Sequence, residues 1–462
     1  MDSMQGLRRL LPIAAVLLTF WPAASAAVER FPEKLELVGL LRAGNFEELE
    51  ARLTAYQEGF EADRVPEEIV EVAFFVFANS DPRLESSLAQ WILLFPNSYA
   101  APLARGVYYW HLAWRARGAR YAQETSDLSF AEMRDYLALS DSDLDLAIRS
   151  NEKLSIAYAY RISIAMLDPR NRRQKQSILK AGLDAVPKSA VIRYRYLFAL
   201  LPWWGGSLEK IDDFITVMKR NFPDEPAMGY LEGFHDFTVA EILEGRGEEE
   251  EAIPYYERAL SKGEHWWYRL EAGQNFYFLQ RYEKALEEFD KALELRPLAA
   301  TVLNWRARAY RRLERFEEAF AGWDLALRLD PLNPAILRQR SFALADKKRY
   351  REAVEDLTTA LELGAYDERI YHSRGWIYLY KTKEYKKAAI DLKRATLLNP
   401  ESAKYWYEYA SALFYNLDCD IIAALKTYLR LCSAGQKCKA HGLKFAKTSL
   451  AHLATVDECS ME

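Results

Sequence analysis

The sequence predicts an all-α fold, a solenoid of stacked helical hairpins, and three observations carry that prediction. A set of small and large apolar residues returns at a spacing of 34 residues through the second half of the chain. Twenty Gly and 17 Pro in 462 residues are too few to punctuate a long sandwich or barrel, and suit helices joined by short connections. Hydrophobic residues make up 50% of the chain and aromatic ones 13%, ample for a large core, which excludes a disordered or collagen-like polymer. Sixty-two Lys and Arg against 67 Asp and Glu leave a net charge of −5, so no bulk positive field points to nucleic acid.

The first residues read as an address. Arg8 and Arg9 form a positive start, Leu10 to Phe20 is an apolar run, and Ala24-Ser25-Ala26 has the small-x-small form of a signal-peptidase site. Residues 1–26 are therefore expected to be a signal peptide, with a mature chain from about Ala27 in the periplasm or outside a bacterial cell. Pro12 and Pro22 interrupt the segment, which falls short of the roughly 20 apolar residues of a transmembrane helix, so no stable membrane insertion is expected after cleavage. Ordinary secretion is favoured over twin-arginine export, and no Cys near the cleavage point suggests a lipid anchor.

Ala285, Phe289, Ala292 and Pro297 are echoed by Ala319, Trp323, Ala326 and Pro331, 34 residues later in every member. Ala353, Leu357 and Ala360 follow at 34, Ala388, Leu392, Ala395 and Pro400 at 35, and Ala252, Tyr256 and Ala259 precede the set at 33. Upstream of each group lies a second pattern: Gly273 with Phe276, Ala307 with Tyr310, Ser341 with Leu344, Gly375 with Tyr378, Ala410 with Leu413. Each unit thus reads as a helical hairpin. The small residues let the second helix approach its neighbours, the large residue between them fills the gap, and Pro stops the helix. One hairpin cannot bury its apolar face alone; stacking does it.

This pattern, over about residues 232 to 432, resembles the tetratricopeptide repeat family. The resemblance implies a right-handed superhelix of hairpins whose role is to bind proteins or extended peptides, without a cofactor. Ala365 stands where the family has Pro, and the unit from Tyr405 to Cys432 carries extra residues at Asn416 to Cys419.

Divergent hairpins are expected in the first half. Leu40 to Leu49 reads as two amphipathic helices around Gly44-Asn45, while Ala116 to Asp141 is expected to form a polar loop on one face. Trp91 to Gly106, the aromatic segment Ala104 to Gly118, and Trp203-Trp204-Gly205-Gly206-Ser207 resemble a bacterial domain of unknown function found ahead of helical repeats; no activity comes with that resemblance. The expected division is a signal peptide over 1–26, a divergent helical-repeat domain over 27–225, the repeat array over 226–432 and a cap over 433–462.

Catalytic chemistry finds little footing. Ser207-Leu208-Glu209-Lys210 matches the Ser-x-x-Lys of penicillin-binding enzymes, but the Lys-Thr-Gly and Ser-Asp-Asn strings are missing, so Ser207 is expected to cap a helix. No Gly-x-Ser-x-Gly, His-Glu-x-x-His or phosphate-cradling loop occurs, and no metal is expected of six scattered His. The cluster Arg105, His111, Arg115 and Arg117 could form an anion site with aromatic walls, yet an aromatic core with Arg side chains paired to carboxylates is favoured. An enzyme or small-ligand site would need Arg105, His111, Trp204 and Ser207 to converge in one pocket.

The face of the first helices turned away from the repeat signature offers a partner groove. It carries Asn304, Arg308, Arg311 and Arg312, then Arg338, then Arg369, His372, Trp376 and Tyr380, and finally Lys404 and Tyr407. Arg forks beside rings suit an extended acidic segment or a chain terminus, whereas a solvated face balanced by neighbouring Glu and Asp would not select for charge. Phe342 and Gln274 stand where the carboxylate-clamping members of the family have Asn.

All four Cys lie near the C-terminus, which in an exported chain reads as two disulfides with three possible connectivities. A helix over Asp420 to Leu431 would hold Cys419 and Cys432 about 20 Å apart, beyond the reach of a bridge. The expected pairs are Cys432 with Cys438 and Cys419 with Cys459, stapling a helix near Lys439 to Ala454.

Overall fold

The computed structural model describes residues 33–79, 81–117, 127–167, 174–223, 228–331, 333–362, 367–436 and 438–453. The expected signal segment, Cys459 and residues 224–226 of the expected domain boundary lie outside them. The described residues are helical, without strands, and the chain divides into two compact units, one ending at Asp330 and one beginning at Pro331.

The first unit opens with α1 (Glu33–Ala43) and α2 (Phe46–Glu61), turned at Gly44 with φ +70°, as the Gly-Asn pair predicts. Next come α3 (Glu67–Phe75), α4 (Leu84–Leu94) and α5 (Ala100–Arg117). α6 (Asp127–Ser150) corrects the expected polar loop: of residues 116–141, all from Asp127 onward are helical. Met133, Leu137, Leu144 and Ala147 recur at helical spacing and are buried, and Ser140 Oγ donates to the Gly106 carbonyl at 2.7 Å. Gly106 makes that approach possible, since a Cβ there would meet Leu144 at 2.8 Å. The polar outer face of α6 had masked its apolar stripe.

α7 (Ser155–Leu167), α8 (Lys175–Ala185), α9 (Ala190–Phe198) and α10 (Leu208–Asn221) continue the stack. Ser207 caps α10 by accepting from the Lys210 amide at 3.3 Å, as expected. The short α11 (Gly229–Glu232) leads to three hairpins: α12 (Phe234–Glu244) with α13 (Glu249–Lys262), α14 (Trp266–Phe278) with α15 (Tyr282–Leu295), and α16 (Ala300–Arg312) with α17 (Phe316–Leu329). One apolar core runs unbroken from Leu37 to Ala272.

The second unit holds α18 (Pro334–Asp346) with α19 (Tyr350–Glu362), α20 (Glu368–Ile377) with α21 (Tyr385–Leu398), α22 (Ala403–Asn416) with α23 (Ile421–Ser433), and the capping helix α24 (Ala440–Leu453). Cys432 and Cys438 are bridged, with Cα atoms 5.7 Å apart. The expected Cys419 to Cys459 bridge involves a residue outside the described set.

The repeat residues do what their sizes suggest. Ala285, Phe289, Ala292, Ala319, Trp323 and Ala326 are completely buried, and a Cβ on Gly273 would come within 2.5 Å of the Phe289 ring. Each hairpin turns through one left-handed residue: Gly247, then Gln280, Glu314, Lys348 and Lys383 at the same station in successive units. The 35-residue step between Ala353 and Ala388 has a local cause. α20 closes in a π-helical turn over Tyr378–Thr382, which absorbs one extra residue before the turn at Lys383. Beyond Asn416 the extra residues lengthen the turn, with Leu417 left-handed and 91% exposed.

Stacking of neighbours is not all that holds the first unit. Asn79 Nδ2 donates to the carbonyl of Leu329, 250 residues away, at 3.2 Å, and Arg296 pairs with Glu71 at 3.5 Å. The segment around α3 is thus fastened to the ends of α15 and α17.

Candidate functional site

The expected groove residues have different fates. In the first unit Asn304 leaves the surface: it is buried on α16, and its Oδ1 accepts from the indole N–H of Trp323 at 2.9 Å. Helical geometry explains the correction, because position 304 lies three residues before Ala307 and so shares its inward stripe. Arg308 stacks on Trp305, 3.5 Å from the ring centre, and also faces Tyr277 at 5.0 Å. Exposed Arg312 donates to the Tyr282 hydroxyl at 2.9 Å, and Arg311 is half-buried on the same helix.

In the second unit the basic residues are largely met by carboxylates. Arg369 is ion-paired to Asp367, its Nε 2.9 Å away, and His372 meets buried Glu408 at 2.5 Å while stacking on Tyr405. Arg338 lies over Phe342 at 6.0 Å, its burial and the neighbouring Arg369 lowering its pKa. Trp376 and Tyr380 sit 5.7 Å apart, with Tyr380 43% exposed, and Lys404 is exposed. Tyr407 packs under the capping helix, against Phe445 and His441 at 5.9 Å, so its ring is not an open groove wall. A third set, Arg306, Arg340 and Arg374, shares the 34-residue spacing and was legible in the sequence as such. Its members brace neighbouring helices through Asp290, Asp356 and Asp391.

Arg105, His111, Trp204 and Ser207 are engaged separately. Arg105 makes a double hydrogen bond to Asp143, 2.7 Å at both contacts, and Ser207 is occupied as a cap. Burial lowers the His111 pKa, with Asp330 opposing and Arg115 adding to the shift, and Trp204 meets Trp114 edge-on at 6.5 Å. The structural reading of Arg105 therefore holds, and the four do not build one catalytic set.

What the sequence reading missed is a second cluster of cations and rings in the first unit. Arg195 of α9 projects over Trp110 and Tyr160, 5.9 and 5.7 Å from the ring centres. Arg296, 2% exposed, is sandwiched between Phe75 and Trp266 at 4.3 and 4.4 Å. His265 stacks on Tyr230 at 4.6 Å and touches Tyr194 at 4.5 Å; burial, then Arg296 and Arg195, push its pKa down to about 3. Nearby, burial pushes Glu241 up to about 7, with Glu244 adding to the rise, and carries Glu271 well above the usual range. Burial raises Glu244 as well, against the lowering effect of its contacts with Asn275 and Tyr256. The only available signal was the aromatic richness of Trp110, Trp114, Tyr160 and Trp266-Trp267, which is also what a core looks like.

Among the described residues no group of His, Cys, Asp or Glu is placed to hold a metal ion, and no helix is long and apolar enough to cross a membrane. Tetratricopeptide repeat models match residues 270–334 and 368–402, and the model of a domain of unknown function, DUF4034, matches residues 33–142. No match is found among curated proteins. Among solved structures, Pseudomonas aeruginosa pilF is 22% identical over 40% of this chain and 83% of its own, with a TM-score of 0.36. TTC0263, a thermophilic TPR protein of Thermus thermophilus, is 21% identical over 39% of this chain and 99% of its own, at 0.36. YrrB, described as a TPR protein with an unusual peptide-binding site, is 20% identical over 42% of this chain and 97% of its own, at 0.32.

Proposed function

We propose that this chain, which carries tetratricopeptide repeats behind a DUF4034 domain, is an exported, non-catalytic scaffold that holds protein partners or extended peptide segments in the bacterial cell envelope. The observation that carries the reading is the pairing of a repeat array with part-exposed cations and rings on its first helices. Arg308 lies on Trp305, Arg312 beside Tyr282, and Lys404 and Tyr380 reach solvent. Rings that fix the position of a guanidinium group lower the entropic cost of presenting its positive charge to a partner's carboxylates or carbonyls. Export rests on the Arg8-Arg9 start, the Leu10 to Phe20 run and the Ala24-Ser25-Ala26 site.

Two measurements test it. N-terminal sequencing of protein from the envelope fraction should begin near Ala27; an intact Met1 would reject export. Crosslinking and affinity capture from native envelopes, repeated with Arg308, Arg312 and Arg338 reversed to Glu, should lose the captured protein while helicity stays. Undiminished capture would remove this surface from the account.

A further inference from the structure

The Arg195 side chain has no hydrogen-bond or ion-pair partner among the described residues, and its Nε is shut away from water. That is expensive: a buried donor left unmade costs roughly 1–3 kcal/mol, and more when charged. The same holds nearby. Arg296 uses one nitrogen on Glu71 at 3.5 Å, and its Nε and Nη2 are unpartnered. Trp110, Trp114 and Trp204, which follow one another at ring distances of 6.1 and 6.5 Å, all have indole N–H groups without acceptors. His265 Nδ1 is likewise unpartnered.

These atoms belong to one wall rather than to scattered defects. Trp110 is in edge contact with Tyr160 at 5.0 Å, Arg195 covers both rings, and the charges of Arg195 and Arg296 both act on Tyr160 and on His265. Apart from neutral His265, every unpartnered atom in the row is a donor that cannot accept. Arg296 pairs with Glu71, and Asp330 acts on His111, the neighbour of Trp110 in the chain. Glu241 and Glu271, which act on Tyr194, have their proton-bearing forms favoured by burial, while Glu67, Glu68 and Glu71 act on Tyr230. Trp110, Trp114, Trp204 and Arg195 are each part-exposed as residues, while their unpartnered nitrogens lie just below the surface.

We infer that this cluster of rings and guanidinium groups in the first unit is a binding site for a small organic oxyanion, a carboxylate or phosphate carried on a flat apolar body, with Arg195 and Arg296 on the charged oxygens and the indole N–H groups on further acceptors. Water could fill some of these acceptor positions, but it would not neutralise the Arg195 guanidinium, which has no ion-pair partner among the described residues. Double hydrogen bonding from a guanidinium suits either oxyanion, and the facing rings suit a planar body.

Purified full-length protein titrated with phenyl phosphate, benzoate and neutral benzyl alcohol tests this, with tryptophan fluorescence and thermal unfolding read together. Saturable quenching and a raised melting temperature are expected with at least one anion and not with benzyl alcohol; whichever anion binds tighter identifies the oxyanion. Arg195→Gln, which strands no partner, should weaken that binding about tenfold or more while leaving the melting temperature of the unliganded protein unchanged or higher. Trp204→Phe, which keeps a ring but removes an N–H, should weaken it less. No saturable binding of either anion at millimolar concentration, or equal binding by benzyl alcohol, would overturn the site, as would binding indifferent to Arg195→Gln. Partner capture through Arg308 and Arg312 is independent of this result.

Discussion

Replacing Asn304 with Ala separates a core role from a surface role. Asn304 is 8% exposed and Trp323 fully buried, and the 2.9 Å bond between them joins the two helices of one repeat. Truncation removes a net stabilisation of about 0.5–1.5 kcal/mol and also strands the indole N–H, which adds roughly 1–3 kcal/mol unless water enters. A loss of about 2 kcal/mol is the central expectation. Trp323→Phe removes the same bond from the other side and leaves the Asn304 oxygen stranded. Because the chain has two compact units, the variants are compared through the urea transition of the first unit, followed by far-UV circular dichroism. The double variant should lose less than the sum of the single losses by about 1 kcal/mol or more, since neither stranded group remains to be counted twice. Additive losses within about 0.3 kcal/mol would show that the pair is not coupled, and a single-variant change below about 0.5 kcal/mol, in the range of an ordinary surface substitution, would refute the burial argument. Partner capture should survive Asn304→Ala as long as the repeat stays folded.

Other consequences are open to direct measurement. Gln280→Gly and Glu314→Gly should each stabilise the first unit by about 0.5–1 kcal/mol, because both residues are left-handed at a turn where the first hairpin of the series already uses Gly247; a loss in denaturation midpoint would contradict this. Glu241 holds its proton to about pH 7 when folded, whereas the unfolded chain releases it near the ordinary value of 4.5. The unfolded state then binds fewer protons, so stability should fall as pH rises from 4.5 towards 7, and Glu241→Gln should flatten that slope in pH-dependent melting. Opening the Cys432 to Cys438 bridge with paired Ser substitutions should cost the capping region about 2 kcal/mol by loop entropy. Limited proteolysis within Ala440–Leu453 reads this as faster cleavage, and an unchanged rate would show the helix holding by packing alone.

The sequence by itself determined what repeats and what is adjacent. The Ala-aromatic-Ala spacing placed the hairpins, Pro297 and Pro331 marked helix ends, Ser207 announced a cap, and short spacing with a Gly between picked out Cys432 and Cys438. These are readable because neighbour contacts in a solenoid recur at the chain's own period. Only the tertiary structure decided the rest. It turned Asn304 inward, folded Asp127 to Asp141 into a helix, met Arg369 and His372 with Asp367 and Glu408, and laid the capping helix over Tyr407. It also brought Glu71, Phe75 and Asn79 to Arg296 and Leu329 and set Arg195 before a row of indoles. Such contacts join residues as far as 250 positions apart, once each, and a contact made once leaves no rhythm in the sequence to reveal it.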